Sequence, residues 1–192
     1  IIDNLPFKLT VSQKNVLNEI NKDLLSKDRM FRIIQGDVGS GKTIVSLLAI
    51  TNIIESGYQC ALMSPTEILA KQHFELSKKI FEKNNIQIDF LSGKTHPKKR
   101  KEILEKLKNG SINFLIGTHT LFQKKLEFKK LGLVVIDEQH KFGVQQRSDL
   151  AKKGGNNCDV LLMSATPIPR TMMMSLYGDM DISQIKEKPA ER

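Results

Sequence analysis

Eight residues, Gly36-Asp37-Val38-Gly39-Ser40-Gly41-Lys42-Thr43, stand between an apolar run at 31–35 and an apolar stretch at 44–54. They satisfy G-x-x-x-x-G-K-[ST] at each fixed position, and that pattern leaves the chain little choice of local fold. A strand must deliver the chain, a tight loop must turn it, and a helix must carry it away. Glycines in the loop let consecutive backbone N–H groups converge on an anion, and the helix adds the positive end of its dipole. Lys42 is the group that meets phosphate charge, and Thr43 offers a hydroxyl to magnesium. Gly36, Val38, Gly39, Ser40 and Gly41 supply the backbone around the phosphates. The plain rival is a glycine-rich turn capping an ordinary helix, and the strand-before, helix-after setting weighs against it.

The rest of the chain repeats the rhythm that this loop begins. Apolar, β-branched runs at 32–35, 60–64, 88–91, 114–118, 133–137 and 160–165 predict strands. Segments of helical period at 10–26, 42–56, 68–84, 97–109, 119–124, 144–152 and 168–177 fall before, between and after them. Such alternation predicts an α/β fold in three layers, with a mainly parallel central sheet covered by helices on both faces. The 192 residues suffice for one large core without disulfides. Cys60 and Cys158 show no ligand spacing and read as small core residues in a reducing compartment. No secretory leader opens the chain and no apolar run approaches membrane-spanning length, so the expectation is a cytoplasmic protein without a membrane partner. The absence of an initial Met and the ending Lys188-Pro189-Ala190-Glu191-Arg192 suggest a piece of a longer protein. One domain is expected over 1–187, and 188–192 as the start of a linker.

In a parallel sheet of this kind ligands bind beyond the carboxyl ends of the strands, and the polar motifs all fall there. The apolar run 131–136 ends abruptly in Asp137-Glu138-Gln139-His140. Two adjacent carboxylates after a buried strand require compensation. Magnesium held by Thr43, Asp137 and nucleotide phosphates would supply it, leaving Glu138 to orient and activate water. The sober alternative makes Asp137 a helix cap and Glu138 an exposed acid. The base is the next question. A guanine-reading Asn-Lys-x-Asp is missing: Asn21-Lys22-Asp23 places the Asp one position early and precedes the loop. Phe7 and Gln13 offer an aromatic face and a carboxamide, which can donate to N7 of adenine while accepting from its amino group. Thr10 and Gln13 also form the spacing of a capping box, and the sequence leaves both readings open.

Taken together, these motifs resemble the superfamily 2 helicases and translocases, whose first RecA-like domain, a P-loop NTPase fold, presents them in this order. Gln13 is similar to the family's adenine-reading glutamine, residues 36–43 to motif I, Ser64-Pro65-Thr66-Glu67 to motif Ia, Gly117-Thr118-His119-Thr120 to motif Ib, residues 137–140 to motif II and Ser164-Ala165-Thr166 to motif III. The continuations Lys141-Phe142-Gly143-Val144-Gln145-Gln146-Arg147 and Pro167-Ile168-Pro169-Arg170-Thr171 resemble those of bacterial translocases that remodel branched DNA, such as stalled forks and Holliday junctions. Transcription-repair coupling translocases are similar but typically carry Glu where this chain has Gln139, and Lys141 replaces an Arg usual in the first group.

The resemblance implies an ATP- and magnesium-dependent motor acting on DNA in recombination and repair, an ATP-gated binding module without catalysis being the alternative. Ser164 and Thr166, with His140, would couple nucleotide state to the DNA site. Pro65, Thr66, Gly93, Thr118 and His119 would meet DNA phosphates without reading bases. A second RecA-like domain and an N-terminal wedge domain are the implied partners within the parent chain. Without the arginines of that second domain, slow hydrolysis is expected, since such a finger contributes about 10³ to 10⁵ in rate. A net charge of +9, with seven basic residues from Lys94 to Lys108 against Glu102 and Glu105, agrees with a polyanionic partner without establishing one. His73, His96, His119 and His140 have no second ligand at metal spacing, so zinc is not expected.

Overall fold

A computed structural model describes residues 7–123, 126–138, 158–166 and 180–187. Four helices, α1 (Val11–Leu24), α2 (Lys42–Glu55), α3 (Glu67–Phe81) and α4 (Pro97–Asn109), are threaded among seven strands. These are β1 (Phe31–Gly36), β2 (Gln59–Met63), β3 (Ile88–Leu91), β4 (Phe114–Gly117), β5 (Leu131–Ile136), β6 (Asp159–Ser164) and β7 (Asp181–Ile185). They form one parallel sheet in the order β3-β4-β2-β5-β6-β1-β7.

The helices follow from local signals. Thr10 caps α1 through the full capping box with Gln13, and Val16, Leu17 and Ile20 give it one buried stripe. Pro97 opens α4 and Gly110, in the left-handed region, closes it. Helix α4 buries only Ile103 and Leu107, one turn apart. Helix α2, by contrast, buries the unbroken run from Val45 to Thr51, as a helix packed between α1 and the sheet must.

Strand alternation divides the core into two. Ile34, Leu62, Ile116, Val135 and Leu161 point to the side of α1, α2 and α3. Ile33, Ala61, Leu115, Val134 and Leu162 point to the other, where Ile103 and Leu107 of α4 meet them. The result is the three-layer arrangement expected. No helix among the described residues is long and apolar enough to cross a membrane.

Two elements differ from expectation. Strand β7 is an addition to the expected set: it pairs with β1 from Arg32↔Asp181 to Gly36↔Ile185. Its buried Ser183 is bonded to Arg32, whose guanidinium also meets Asp23 at 2.6 Å and Glu19 at 3.4 Å. The helix expected over 119–124 is a single 3-10 turn, His119–Phe122. Leu121 N–H closes on Thr118 O and Gln123 N–H on Thr120 O, and the Thr120 hydroxyl is drawn away to Leu91 O. The helices expected at 144–152 and 168–177, and the linker at 188–192, lie outside the described residues.

Candidate functional site

Strand order, not sequence proximity, assembles the site. Strands β5, β6 and β1 are neighbours, with Gln35 level with Ser164 and Ile136 level with Leu162. Their carboxyl ends therefore present the glycine loop, Asp137-Glu138 and Ser164-Ala165-Thr166 side by side. Strand β2 adds Ser64 next to Asp137, since Asp137 N–H bonds Met63 O at 2.8 Å. Strands β4 and β3 extend the row with Thr118 and Gly93.

The loop needs its glycines for different reasons. Gly39 and Gly41 adopt φ of 82° and 89°, where a side chain is strained. A Cβ on Gly41 would also overlap the Gln13 amide nitrogen. Gln13 is buried, its Nε2 donating to Ser40 O at 2.8 Å and its Oε1 accepting from Thr10 N–H at 3.0 Å. The capping-box reading of Gln13 is thus met, and the same carboxamide also fastens the loop. Phe7 and Val38 are exposed.

Lys42 is folded onto its own loop, donating to Gly36 O at 2.5 Å and Asp37 O at 3.0 Å. Burial lowers its pKa, against the attraction of Asp137, Glu138 and Asp37. Thr43 follows in the first turn of α2, half-buried. Among the described residues, two buried side-chain polar atoms have no hydrogen-bond partner, Ser40 Oγ and Ser64 Oγ. Ser40 lies in the glycine loop and Ser64 follows β2 beside Asp137, so both sit at the carboxyl end of the sheet, which suits a site shaped for a polar ligand.

Asp137 is buried, and both of its oxygens have protein partners. Oδ1 accepts the Glu138 N–H at 2.9 Å and Oδ2 lies 2.7 Å from His73 Nε2. Glu138 has φ of 47°, a left-handed conformation costing a non-glycine residue about 1–2 kcal/mol. Among the described residues no three His, Cys, Asp or Glu side chains gather as a cation cage. The Asp137 carboxylate and Thr43 hydroxyl are oxygen donors of the kind magnesium takes, and phosphate oxygens and water would fill the rest of its shell.

Ser164 is buried and donates to Thr166 O at 3.0 Å, its hydroxyl also 3.2 Å from that of Thr166. These two bond one another, and among the described residues the side chain on Asp137 is His73. His140 lies outside the described residues. Of the DNA candidates, Thr66, Gly93 and His119 are exposed, Pro65 is half-buried and Thr118 is buried. Thr66 caps α3 by accepting the Leu69 N–H at 3.2 Å. Glu67 is held below the ordinary carboxylate range, first by its bond from Lys71 and also by Lys94, so its charge on this rim is balanced.

His73 is the site residue that motif reading missed. The sequence did carry a signal: Ala70, His73, Ser77 and Phe81 form one buried helix face, and a histidine there needs a polar partner.

Residues 10–175 match the DEAD/DEAH box helicase family. The chain belongs to that family. Within it, the chain is 52% identical over 191 residues to the ATP-dependent DNA helicase RecG of Bacillus subtilis (strain 168), covering 100% of the chain and 28% of the relative. It is 51% identical over 191 residues to RecG of Thermotoga maritima, covering all of the chain and 24% of that protein. The solved structure of RecG bound to a three-way DNA junction superposes with a TM-score of 0.86 at 47% identity, over 100% of this chain and 25% of that one. The helicase family read from the motifs is found, and the relatives within it are DNA helicases, one of them solved on a three-way DNA junction. The chain spans about a quarter of the length of these relatives.

Proposed function

We propose that this chain is the ATP-binding half of a motor that remodels branched DNA in recombination and repair, as part of a longer cytoplasmic protein. The observation that carries the proposal is the adjacency of β5, β6 and β1, which puts the phosphate loop, Asp137-Glu138 and Ser164-Thr166 at one sheet end. Backbone N–H groups of the loop would grip the phosphates, with Lys42 released from Gly36 O and Asp37 O to meet them. Phe7 would face adenine, and Gln13 would read it once its carboxamide is released from Ser40 O and the Thr10 N–H. Thr43 and Asp137 would hold magnesium, which neutralises phosphate charge when bound. Glu138 would orient water and take its proton, and Ser164 and Thr166, with His140, would relay the nucleotide's state.

Thr66, Gly93 and His119 are exposed at the same end, with Pro65 half-buried and Thr118 buried beside them, and these five would offer the phosphate contacts. A second RecA-like domain and an N-terminal wedge domain would complete the motor, leaving this chain alone to bind MgATP and hydrolyse it slowly. Glu138→Gln in the full-length protein tests the reading. DNA-dependent ATP hydrolysis should fall by at least about 10²-fold while MgATP affinity stays within about threefold. Equal turnover by the variant would leave an ATP-gated binding module as the better description.

A further inference from the structure

We propose that His73 is a positioning residue for the magnesium aspartate, fixing the Asp137 carboxylate from helix α3. The inference rests on the reading of Asp137 as a metal ligand and goes beyond it, since none of the family motifs named above includes residue 73. His73 Nε2 lies 2.7 Å from Asp137 Oδ2, and both residues are 8% exposed. With the Glu138 N–H on Oδ1 at 2.9 Å, each carboxylate oxygen has one fixed donor. A carboxylate offers about four lone-pair directions, so two remain for a cation or its waters while the plane of the group is set.

The helix that carries the imidazole is itself held. The His73 backbone carbonyl accepts the Ser77 hydroxyl at 2.7 Å, and Ala70 and Phe81 on the same helix face are buried in the core. The neighbouring Phe74 packs on Phe90, with ring centroids 5.7 Å apart, and keeps α3 against β3. A buried histidine on an otherwise packing face is accounted for by its one bond to Asp137. Helix α3 also begins at Thr66, so the residue that fixes the metal aspartate is carried by the helix whose cap is a proposed DNA contact. Removal of such an outer partner commonly lowers metal affinity or activity 10–100-fold.

The alternative is that His73 only satisfies a buried acid and stabilises the fold. The full-length protein separates the two through His73→Leu and His73→Ala, which lack the donor, and His73→Gln, whose amide restores one. Binding of a fluorescent ATP analogue is titrated with Mg²⁺ and repeated in EDTA, ATPase activity is titrated with Mg²⁺, and Tm is read for each variant. The donor-less variants should raise the half-saturating Mg²⁺ concentration about 10–100-fold and lower kcat, with nucleotide binding in EDTA within about twofold of wild type. His73→Gln should recover most of the Mg²⁺ dependence. The proposal is overturned if whichever donor-less variant folds keeps the wild-type Mg²⁺ response, or if folded His73→Gln is no better than it. Wild-type protein that binds nucleotide without any Mg²⁺ dependence would overturn the functional reading first, and this inference with it.

Discussion

Replacing Gly41 with alanine tests how the phosphate loop is fastened. At φ of 89° the new side chain costs about 1–2 kcal/mol in backbone strain. Its Cβ also overlaps the Gln13 amide, so the bond from Gln13 Nε2 to Ser40 O must break, worth about 1 kcal/mol. Gly41→Ala should therefore destabilise the protein by about 2–3 kcal/mol. Gln13→Ala should cost about 2 kcal/mol, since it removes the bonds to Ser40 O and from Thr10 N–H. The decisive quantity is the double variant. With Gln13 truncated there is nothing for the methyl introduced at position 41 to displace, so the combined loss should fall short of the summed single losses by about 1 kcal/mol. Urea denaturation of the four proteins measures this coupling. Additivity within about 0.3 kcal/mol would show that Gln13 does not brace Gly41, and the account of the loop would fail.

Three further outcomes are expected. Arg32→Leu should cost about 2–3 kcal/mol, less than a fully buried pair because Glu19 and Asp181 are largely exposed, and should speed hydrogen exchange in β7; a loss below about 0.5 kcal/mol would refute the network's role. Phe114→Ala empties a fully buried site packed edge-on against Phe81 and should cost about 3–5 kcal/mol in urea denaturation. Burial pushes the Asp159 carboxyl above its ordinary 3.8, so stability it contributes is full below that value and is lost as pH rises past its folded pKa. Asp159→Asn keeps an acceptor for the Met30 N–H, so its Tm should exceed wild type at neutral pH and converge with it toward pH values below about 4; an unchanged difference across that range would contradict the sign.

The sequence is most legible where a local pattern and its tertiary setting agree. The run Leu131–Ile136 is apolar throughout and wholly buried, and the capping box at Thr10 forms as its spacing predicts. Strand β7 is hidden from such reading because its inward Ser183 is polar, and only Arg32, far away in the chain, makes that residue suitable for burial. The turn at His119 is tighter than its period suggests, since the pull of Leu91 O on Thr120 cannot be seen from residues 119–124. Each nucleotide motif can be read alone, yet their meeting depends on β5 and β6 lying between β2 and β1. The bond from His73 to Asp137 joins residues 64 positions apart, and no short motif spans that distance.

A loop whose lysine already grips Gly36 O and Asp37 O is a closed hand. Under the proposed function, phosphate binding would be an exchange of partners, in which Lys42 gives up two carbonyl bonds to meet its ligand. A weakly charged ligand would give little back for that exchange, whereas the anionic oxygens of a polyphosphate would offset it by pairing with the ammonium charge. Under that reading the loop would favour a ligand with several phosphates, whichever base it carries.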